Sequence, residues 1–204
     1  MKNRIVFVFD LDGTLIDSVE LHAKAFKYAV KTLGYKNYNE LYKKFKKFIG
    51  RSLEDIVKTI IKGIDEKEIK KIRKLKDEYV LKNLGKIKLK KRVVKILMYI
   101  KSLNFPVALF TSSTKEFTYK VLKKFGLEKY FDYIITKEDV KKHKPNPEGL
   151  IKISKKFRTK NVVFIGDSKF DKIAAKKAKF KFIEVKNLKM KKIKELISKH
   201  LKNI

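Results

Sequence analysis

The chain has 204 residues, of which 44% are hydrophobic and 12% aromatic, and this suffices for one domain with an insertion or for two small domains. It contains no cysteine and only three histidines, which excludes disulfides, thiolate chemistry and a zinc site, so any bound metal must be held by oxygen atoms. Its formal net charge of +32 is typical of a nucleic-acid-binding protein, and that function must be weighed against others.

The first predicted element is a strand. Residues 5–9, Ile-Val-Phe-Val-Phe, are all apolar and suit a strand buried on both faces of a parallel sheet. Asp10 and Asp12 follow directly, and Gly13 permits a sharp turn that holds their carboxylates near one point. Protonation of one carboxylate or a bound cation would relieve their repulsion, and oxygen ligands in a loop suit Mg²⁺. On these residues alone, a solvated surface turn is an equally good interpretation.

The segment before this strand has only four residues, Met-Lys-Asn-Arg, and includes no apolar stretch of the kind found in signal peptides. No run elsewhere approaches the ~20 apolar residues that cross a bilayer. The sequence therefore predicts a cytoplasmic protein with no membrane partner.

Residues 16–88 are expected to be helical throughout. Asp17 and Ser18 form a capping pair before the first helix, and Gly34 is a usual residue after a helix end. Apolar spacing and similar end signals predict four helices, over residues 19–33, 39–48, 52–63 and 65–83.

From residue 91 onwards, helices alternate with strands. The apolar pattern predicts helices over residues 92–103, 115–125, 146–157, 172–179 and 190–202, and strands over residues 106–111, 133–136, 162–165 and 180–185. Such alternation implies right-handed crossovers and a five-strand parallel sheet covered by helices on both faces. We therefore predict an α/β, three-layer, Rossmann-like core of residues 1–15 and 89–204, with residues 16–88 inserted as a helical cap.

Polar residues that can handle phosphate follow three further strands. Thr111 and Ser112 offer hydroxyl and N–H groups near a helix start, and Lys144 lies in a loop stiffened by prolines. Asp167 and Asp171 follow another strand and, being four residues apart, are predicted to share one helical face. Singly, these residues have ordinary interpretations as helix caps, a surface cation and a charge at a helix start. Their joint occurrence at strand ends favours one shared site.

These motifs resemble those of the haloacid dehalogenase-like phosphatase superfamily. The resemblance rests on Asp10-Leu-Asp-Gly-Thr-Leu, on the apolar strand ending in Thr111, on Lys144 before Pro145 and on Gly166-Asp-Ser-Lys-Phe-Asp171. The four motifs occur in the same order as in that superfamily and span nearly the whole chain. The helical insertion is similar to the cap of the subgroup containing phosphoglycolate phosphatase and β-phosphoglucomutase.

The resemblance implies roles for the four carboxylates. Asp10 would attack phosphorus and form an aspartyl-phosphate, and Asp12 would act as general acid and then as general base. Mg²⁺ would be held by Asp10, by the backbone carbonyl of Asp12 and by Asp167. Asp171 would support this site through a water molecule or a neighbouring ligand.

The resemblance also implies phosphate and substrate contacts. Thr111, Ser112 and Lys144 would hold the phosphoryl oxygens. Arg51, in the irregular turn of the cap, is the residue favoured for contact with the rest of the substrate, although it is also one of many surface cations. His22, on the first cap helix, is a second candidate for such contact, with a purely structural histidine as the equal alternative.

Three functions are therefore compared. The favoured one is a Mg²⁺-dependent phosphatase acting on a small phosphorylated metabolite, with phosphoglycolate as the nearest candidate; a β-phosphoglucomutase-like enzyme shares all four motifs. The third is nucleic-acid binding. Residues 16–88 carry 20 basic and 10 acidic residues, a net charge of +10, and the other residues carry 34 basic and 12 acidic residues, a net charge of +22. The two parts of the chain are therefore almost equally basic per residue. Even distribution and the excess of Lys over Arg favour a lysine-rich background with weak, non-specific binding. A monomer and a dimer both stay open.

Overall fold

The computed structural model describes residues 4–202 of the chain. None of the helices within that range is long and apolar enough to cross a membrane. In chain order the helices and strands are β1 (Val6–Phe9), β2 (Ile16–Asp17), α1 (Val19–Thr32), α2 (Tyr38–Lys46), α3 (Leu53–Ile60), α4 (Glu66–Lys82), β3 (Lys88–Leu89), α5 (Lys91–Ser102), β4 (Val107–Phe110), α6 (Lys115–Lys124), β5 (Tyr133–Ile135), α7 (Glu148–Lys156), β6 (Val162–Gly166), α8 (Lys169–Lys177), β7 (Lys181–Glu184) and α9 (Met190–Leu201).

Five of these strands form one parallel sheet in the order β5-β4-β1-β6-β7. Side chains of β1 alternate between two hydrophobic cores, with Phe7 and Phe9 on one face and Val6 and Val8 on the other. Residues of α5, α6 and α9 cover the first face, and residues of α7 and α8 cover the second. The predicted three-layer α/β fold is confirmed, and the central position of β1 places Asp10 between the ends of β4 and β6.

The four helices α1 to α4 form a layer with its own hydrophobic core. Phe26 of α1 stacks on Phe45 of α2 with ring centroids 4.3 Å apart, and Ile72 of α4 is buried in the same cluster. Leu21 of α1 and Val80 of α4 belong instead to the core beneath the sheet, so these two helices attach the layer to the sheet. We refer to residues 16–88 as the cap.

The expectation that the cap is helical throughout is wrong at its two ends. The strands β2 and β3 pair antiparallel, with Ile16 opposite Leu89 and Asp17 opposite Lys88. Two residues are too few to display the alternation by which a strand is recognised in a sequence. The chain therefore enters and leaves the cap at adjacent points.

The start of α8 also differs from the prediction. The helix begins at Lys169 rather than at residue 172, because the hydroxyl of Ser168 accepts the N–H of Asp171 while the carboxylate of Asp171 accepts the N–H of Ser168. Asp167 therefore precedes the helix, and the prediction that it shares a helical face with Asp171 is wrong. The start of α7 is shifted as well, since Pro147 occupies the capping position and Glu148 is the first helical residue.

Candidate active site

Asp10 and Asp12 lie in the turn that follows the central strand. Asp10 is only 4% exposed, and its N–H donates to the carbonyl of Ile165 in the neighbouring strand at 2.9 Å. Gly13 adopts φ +78°, and a Cβ atom at this position would lie 2.1 Å from a carboxylate oxygen of Asp167. Gly13 thus provides both the turn and the close approach of Asp167 that a larger residue would prevent.

Lys144 connects two carboxylates below this turn. Its Nζ donates to Asp10 Oδ1 at 2.6 Å and to Asp171 Oδ1 at 2.7 Å, and the side chain is 1% exposed. Burial alone would lower the pKa of Lys144, but the carboxylates of Asp10 and Asp171 raise it above its ordinary value. Lys144 is therefore a fixed positive charge at the position where a phosphoryl group would meet Asp10.

Negative charge at the strand ends exceeds what Lys144 can balance. Burial raises the pKa of Asp10 well above its ordinary value, with a further increase from neighbouring carboxylates and an opposing effect of Lys144. Burial and the charge of Asp171 likewise raise the pKa of Asp167 to about 6. One oxygen each of Asp10, Asp167 and Asp171 lies within 4.8 Å of the others. A cation at this point would relieve the repulsion between them.

The residues present fit a hard cation such as Mg²⁺, because all the available donors are oxygen atoms. Asp171 is the least suited of the three carboxylates, since Oδ1 binds Lys144 and Oδ2 accepts hydrogen bonds from the N–H and hydroxyl of Ser168. Asp10 and Asp167 are the more available pair. Asp171 instead holds Lys144 and the start of α8.

Asp12 has different partners from Asp10. Its Oδ1 accepts from the Ser18 hydroxyl at 2.5 Å and lies 3.0 Å from Nε2 of His22, and its Oδ2 accepts from the Ser113 hydroxyl at 2.5 Å. Burial would raise the pKa of Asp12, but His22 and the two hydroxyl groups lower it well below its ordinary value. The surroundings of the two neighbouring carboxylates thus shift their pKa values in opposite directions.

Three residues around Asp12 and His22 carry no signal in the sequence for the contacts they make. The sequence predicts that Ser18 caps α1, but its hydroxyl donates to Asp12 and makes no cap hydrogen bond. Ser113 belongs to the Thr-Ser-Ser-Thr run after β4, and the sequence does not indicate which of these hydroxyl groups contacts Asp12. Lys76 of α4 lies with Nζ 3.3 Å from Nδ1 of His22. His22 therefore lies between the carboxylate of Asp12 and the ammonium of Lys76.

Thr111 and Ser112 lie beside this site. Thr111 is buried, and its hydroxyl oxygen accepts the N–H of Ser113 at 3.0 Å, which fixes the turn after β4. The hydroxyl of Ser112 donates to the carbonyl of Gly50 in the cap at 3.0 Å. Ser112 therefore joins the core to the cap as well as lining the site.

Arg51 lies where the cap meets the core. Its guanidinium lies over the rings of Phe48 in the cap and Phe170 in the core, at 6.0 and 5.8 Å from their centroids, and donates to the hydroxyl of Thr59. Both Arg51 and His22 line the same cavity as Asp10. His22, however, contacts Asp12 directly, so it lies beside this carboxylate rather than at the far end of the cavity.

A cavity of about 90 Å³ separates the strand ends from the cap. Its floor includes Asp10, Asp12 and Lys144, and its roof is formed by side chains of α2, α3 and α4. Part of the wall is apolar, with Phe45, Ile56 and Val80 among its residues. The cavity is therefore a small space between two layers of the molecule, partly apolar and with a few convergent polar groups, as is usual for small-molecule sites.

Known proteins are similar to this chain in sequence and in fold. A phosphoglycolate phosphatase of Vibrio parahaemolyticus is 30% identical over 183 residues, covering 85% of this chain and 79% of that protein. A pyrophosphatase PpaX of Halalkalibacterium halodurans is 31% identical over 173 residues, covering 84% and 78%. The crystal structure of a hydrolase from Pseudomonas syringae superposes with a TM-score of 0.81 at 24% identity, covering 89% and 83%.

The family model described as haloacid dehalogenase-like hydrolase matches residues 7–185, a range that includes Asp10, Lys144 and Asp167. This confirms the resemblance predicted from the four motifs. The chain belongs to the haloacid dehalogenase-like hydrolase family and is a phosphatase of that family.

Proposed function

We propose that the chain is a Mg²⁺-dependent phosphatase that hydrolyses a small phosphate monoester through an aspartyl-phosphate on Asp10. The observation that carries this proposal is the pair of unlike carboxylates in one turn. Asp10 is bonded to the buried ammonium of Lys144, whereas Asp12 is bonded to two hydroxyls and an imidazole. Two carboxylates in such different environments suit two different tasks, nucleophilic attack and proton transfer.

In the first step, a carboxylate oxygen of Asp10 attacks phosphorus, the bond from phosphorus to the ester oxygen breaks, and Asp12 delivers a proton to the departing oxygen. In the second step, Asp12 takes a proton from water, the water oxygen attacks phosphorus, and the bond to Asp10 breaks. Lys144 contacts Asp10 already, so it orients the nucleophile before substrate arrives, and its charge opposes the rise in the Asp10 pKa that burial causes.

Asp12 is ionised in this arrangement, which suits its task as the base of the second step. To act as an acid in the first step, it must hold a proton when the ester is bound. An incoming phosphoryl group carries negative charge, and like charge nearby raises a carboxylate pKa. Substrate binding therefore moves Asp12 towards the form that can donate.

Asp10, the backbone carbonyl of Asp12 and Asp167 are the groups that would hold Mg²⁺. The ion would supply charge neutralisation between an anionic nucleophile and an anionic ester. Thr111, Ser112 and Lys144 would bind the phosphoryl oxygens, with Ser112 acting through its backbone because its hydroxyl donates to the cap.

Hydrolysis is favoured over transfer between two hydroxyls of a sugar. The relatives at about 30% identity are named phosphoglycolate phosphatase and pyrophosphatase, and both names describe transfer of a phosphoryl group to water. A small phosphorylated acid or a diphosphate is therefore the first substrate to test, ahead of the phosphosugar of a β-phosphoglucomutase-like enzyme.

The test is phosphate release from a panel of monoesters and pyrophosphate, with Mg²⁺ and with excess chelator. We expect release only with Mg²⁺, and turnover of at least one small compound well above that of sugar phosphates. Equal rates in the presence of chelator would contradict the metal requirement. Conversion of a sugar 1-phosphate to its 6-phosphate without phosphate release would instead identify a mutase.

A further inference from the structure

A second group of cations borders the cavity away from Lys144. Arg73 of α4 and Lys137, in the turn after β5, both line the cavity that contains Asp10 and Asp12. Their side chains are only 34% and 12% exposed. The proposed phosphoryl chemistry uses neither residue, so both are available for another part of the ligand.

The position of Lys137 is fixed by the backbone of the core. Thr136 caps a 3-10 turn, Lys137–Asp139, through a reciprocal pair of hydrogen bonds with Asp139. The N–H of Lys137 donates to the carbonyl of Ser113 at 3.0 Å, which ties this turn to the loop that contacts Asp12. Lys137 is thus held at the edge of the site by a rigid segment, and Arg73 comes from a helix of the cap.

Arg73 and Lys137 have one directly paired carboxylate between them, and Asp77 and Glu138 lie near enough to act on the pKa of Lys137 in the upward direction. Arg73 and Lys137 share one carboxylate oxygen, Oε1 of Glu54, to which Lys137 lies at 2.8 Å. Within residues 4–202, Arg73 Nε is buried without a hydrogen-bond partner. Burial and the guanidinium of Arg73 lower the pKa of Lys137 to about 8. An additional anion between Arg73 and Lys137 would stabilise both cations.

We propose that Arg73 and Lys137 form a second anion subsite, which binds an acidic group on the substrate whose phosphoester lies at Asp10. This inference rests on the proposed function and makes it more specific. The acidic group is a carboxylate or a second phosphoryl group, so the substrate is a phosphorylated acid or a diphosphate. Because Arg73 belongs to the cap and Lys137 to the core, one bound anion also holds the two layers together.

A simpler interpretation is that Glu54, Arg73 and Lys137 are a structural ion-pair group. A matched pair of esters separates the two. Phosphoglycolate and ethyl phosphate both have two carbon atoms and one phosphoester, and they differ by the carboxylate. We expect the wild-type protein to hydrolyse phosphoglycolate or pyrophosphate with a kcat/KM at least about 10-fold above that for ethyl phosphate, the difference that one charge-assisted contact provides.

The variants are Lys137→Gln and Arg73→Gln. Each should lower kcat/KM for the acidic substrate by about 10-fold, mainly through KM, and change ethyl phosphate turnover by less than about 2-fold. The controls are Lys141→Gln and Lys74→Gln, which remove a positive charge from exposed positions near each residue and should leave both substrates unchanged. The charge-keeping variants Lys137→Arg and Arg73→Lys should retain the preference for the acid.

A binding measurement tests the subsite without turnover. With Mg²⁺ present, phosphonoacetate should raise the Tm of the wild-type protein more than ethylphosphonate does, and Lys137→Gln should abolish that difference. Equal effects of the two phosphonates on the wild type, or equal loss of both esters in the variants, would overturn the subsite. If both esters are hydrolysed equally well, the proposed subsite is wrong, whereas the proposed phosphatase function is supported. If neither ester nor pyrophosphate is hydrolysed, the proposed function is wrong, and the Tm comparison alone decides whether the subsite exists.

Discussion

Asp10 and Asp12 are chemically alike, and only their surroundings distinguish them. For Asp10→Asn we predict a loss of activity of at least about 10³-fold on every ester, because the change removes the nucleophile and a proposed metal ligand together. Asp12→Asn keeps the backbone carbonyl and the nucleophile. Its loss should depend on the leaving group, being smaller for a nitrophenyl ester than for an alkyl ester, since a nitrophenolate needs little proton donation.

Pre-steady-state kinetics of both variants on both esters would measure this difference. The Asp12→Asn protein still lacks the base of the second step, so a burst of nitrophenolate and an acid-trapped aspartyl-phosphate on Asp10 are expected. Phosphate trapped on another residue, or full activity of Asp10→Asn, would be incompatible with the mechanism.

Arg51 gives a second prediction for a single residue. Arg51→Ala should raise KM for the preferred substrate by about 10-fold while sparing a small artificial ester, because such an ester does not reach the cap. Steady-state kinetics on the two substrates provide the measurement. The guanidinium of Arg51 also lies between the rings of Phe48 in the cap and Phe170 in the core. If that contact is its main role, Arg51→Ala would displace the cap and lower the activity on both substrates equally.

For single residues, the sequence predicts the site residues that directly follow a strand, but it does not predict the site residues that other elements contribute. Asp10 and Asp167 could be proposed because each stands at the end of an apolar run, and parallel strands end at one edge. Ser113, Lys76 and Lys137 carry no such local signal. Their partners lie in other elements, and among 54 basic residues a lysine is distinguished only by what it contacts in the folded chain.

At the scale of elements, the loop that contains Lys144 is held by the first residue of α7. The carboxylate of Glu148 accepts the N–H groups of Lys141 and Lys142, at 3.1 and 2.9 Å, and these backbone hydrogen bonds lower the pKa of Glu148 to about 2. The loop thus depends on the ionised carboxylate of Glu148, which lies four residues after Lys144. Such hydrogen bonds are lost if the carboxylate becomes an amide in the wrong orientation or is protonated.

For Glu148→Gln we predict a Tm at pH 7 lower by about 2–4 °C, which corresponds to about 1 kcal/mol for a chain of this size. Because the folded-state pKa is depressed, this stabilisation is complete above the ordinary value of 4.5 and is lost as the pH falls towards 2. In thermal melts of wild type and variant from pH 7 to pH 3, the difference in Tm should therefore become smaller as the pH falls below 4.5. Glu78→Gln, at an exposed position of α4, is the control, and a constant difference at all pH values would argue against the charge-dependent role.

Long elements were predictable from the sequence, and their ends were less so. The apolar periodicity of α1 or α5 extends over several turns, and four of the five sheet strands are apolar runs, whereas β7 has a charged residue at each end. The start of α8 depends on Ser168 and Asp171 bonding each other, and Asp171 also serves Lys144. Asp171 therefore has two roles, and the four-residue spacing from Asp167 reveals neither of them. That spacing predicted instead a helical face shared with Asp167.

At the scale of the whole molecule, the charge of +32 is spread over both cap and core. We predict that any binding to DNA or RNA is independent of sequence and falls steeply between about 50 and 200 mM salt, because it would rest on lysine contacts to phosphates. Binding titrations with two unrelated duplexes over that salt range provide the measurement. Sequence-selective binding that persists at about 200 mM salt would contradict it and revive the nucleic-acid function.

The pairing of Ile16–Asp17 with Lys88–Leu89 has a consequence for how such a protein can diversify. The segment between these two short strands joins the rest of the chain at two neighbouring points. Insertions, deletions or replacement of whole helices within this segment therefore leave the strand order of the five-strand sheet intact. The groups proposed to break the phosphoester all lie outside that interval, whereas Arg51 and Arg73 lie within it. Descendants of one ancestral chain can therefore acquire new substrates by altering this interval, provided that Ser18 and His22, which contact Asp12, are retained.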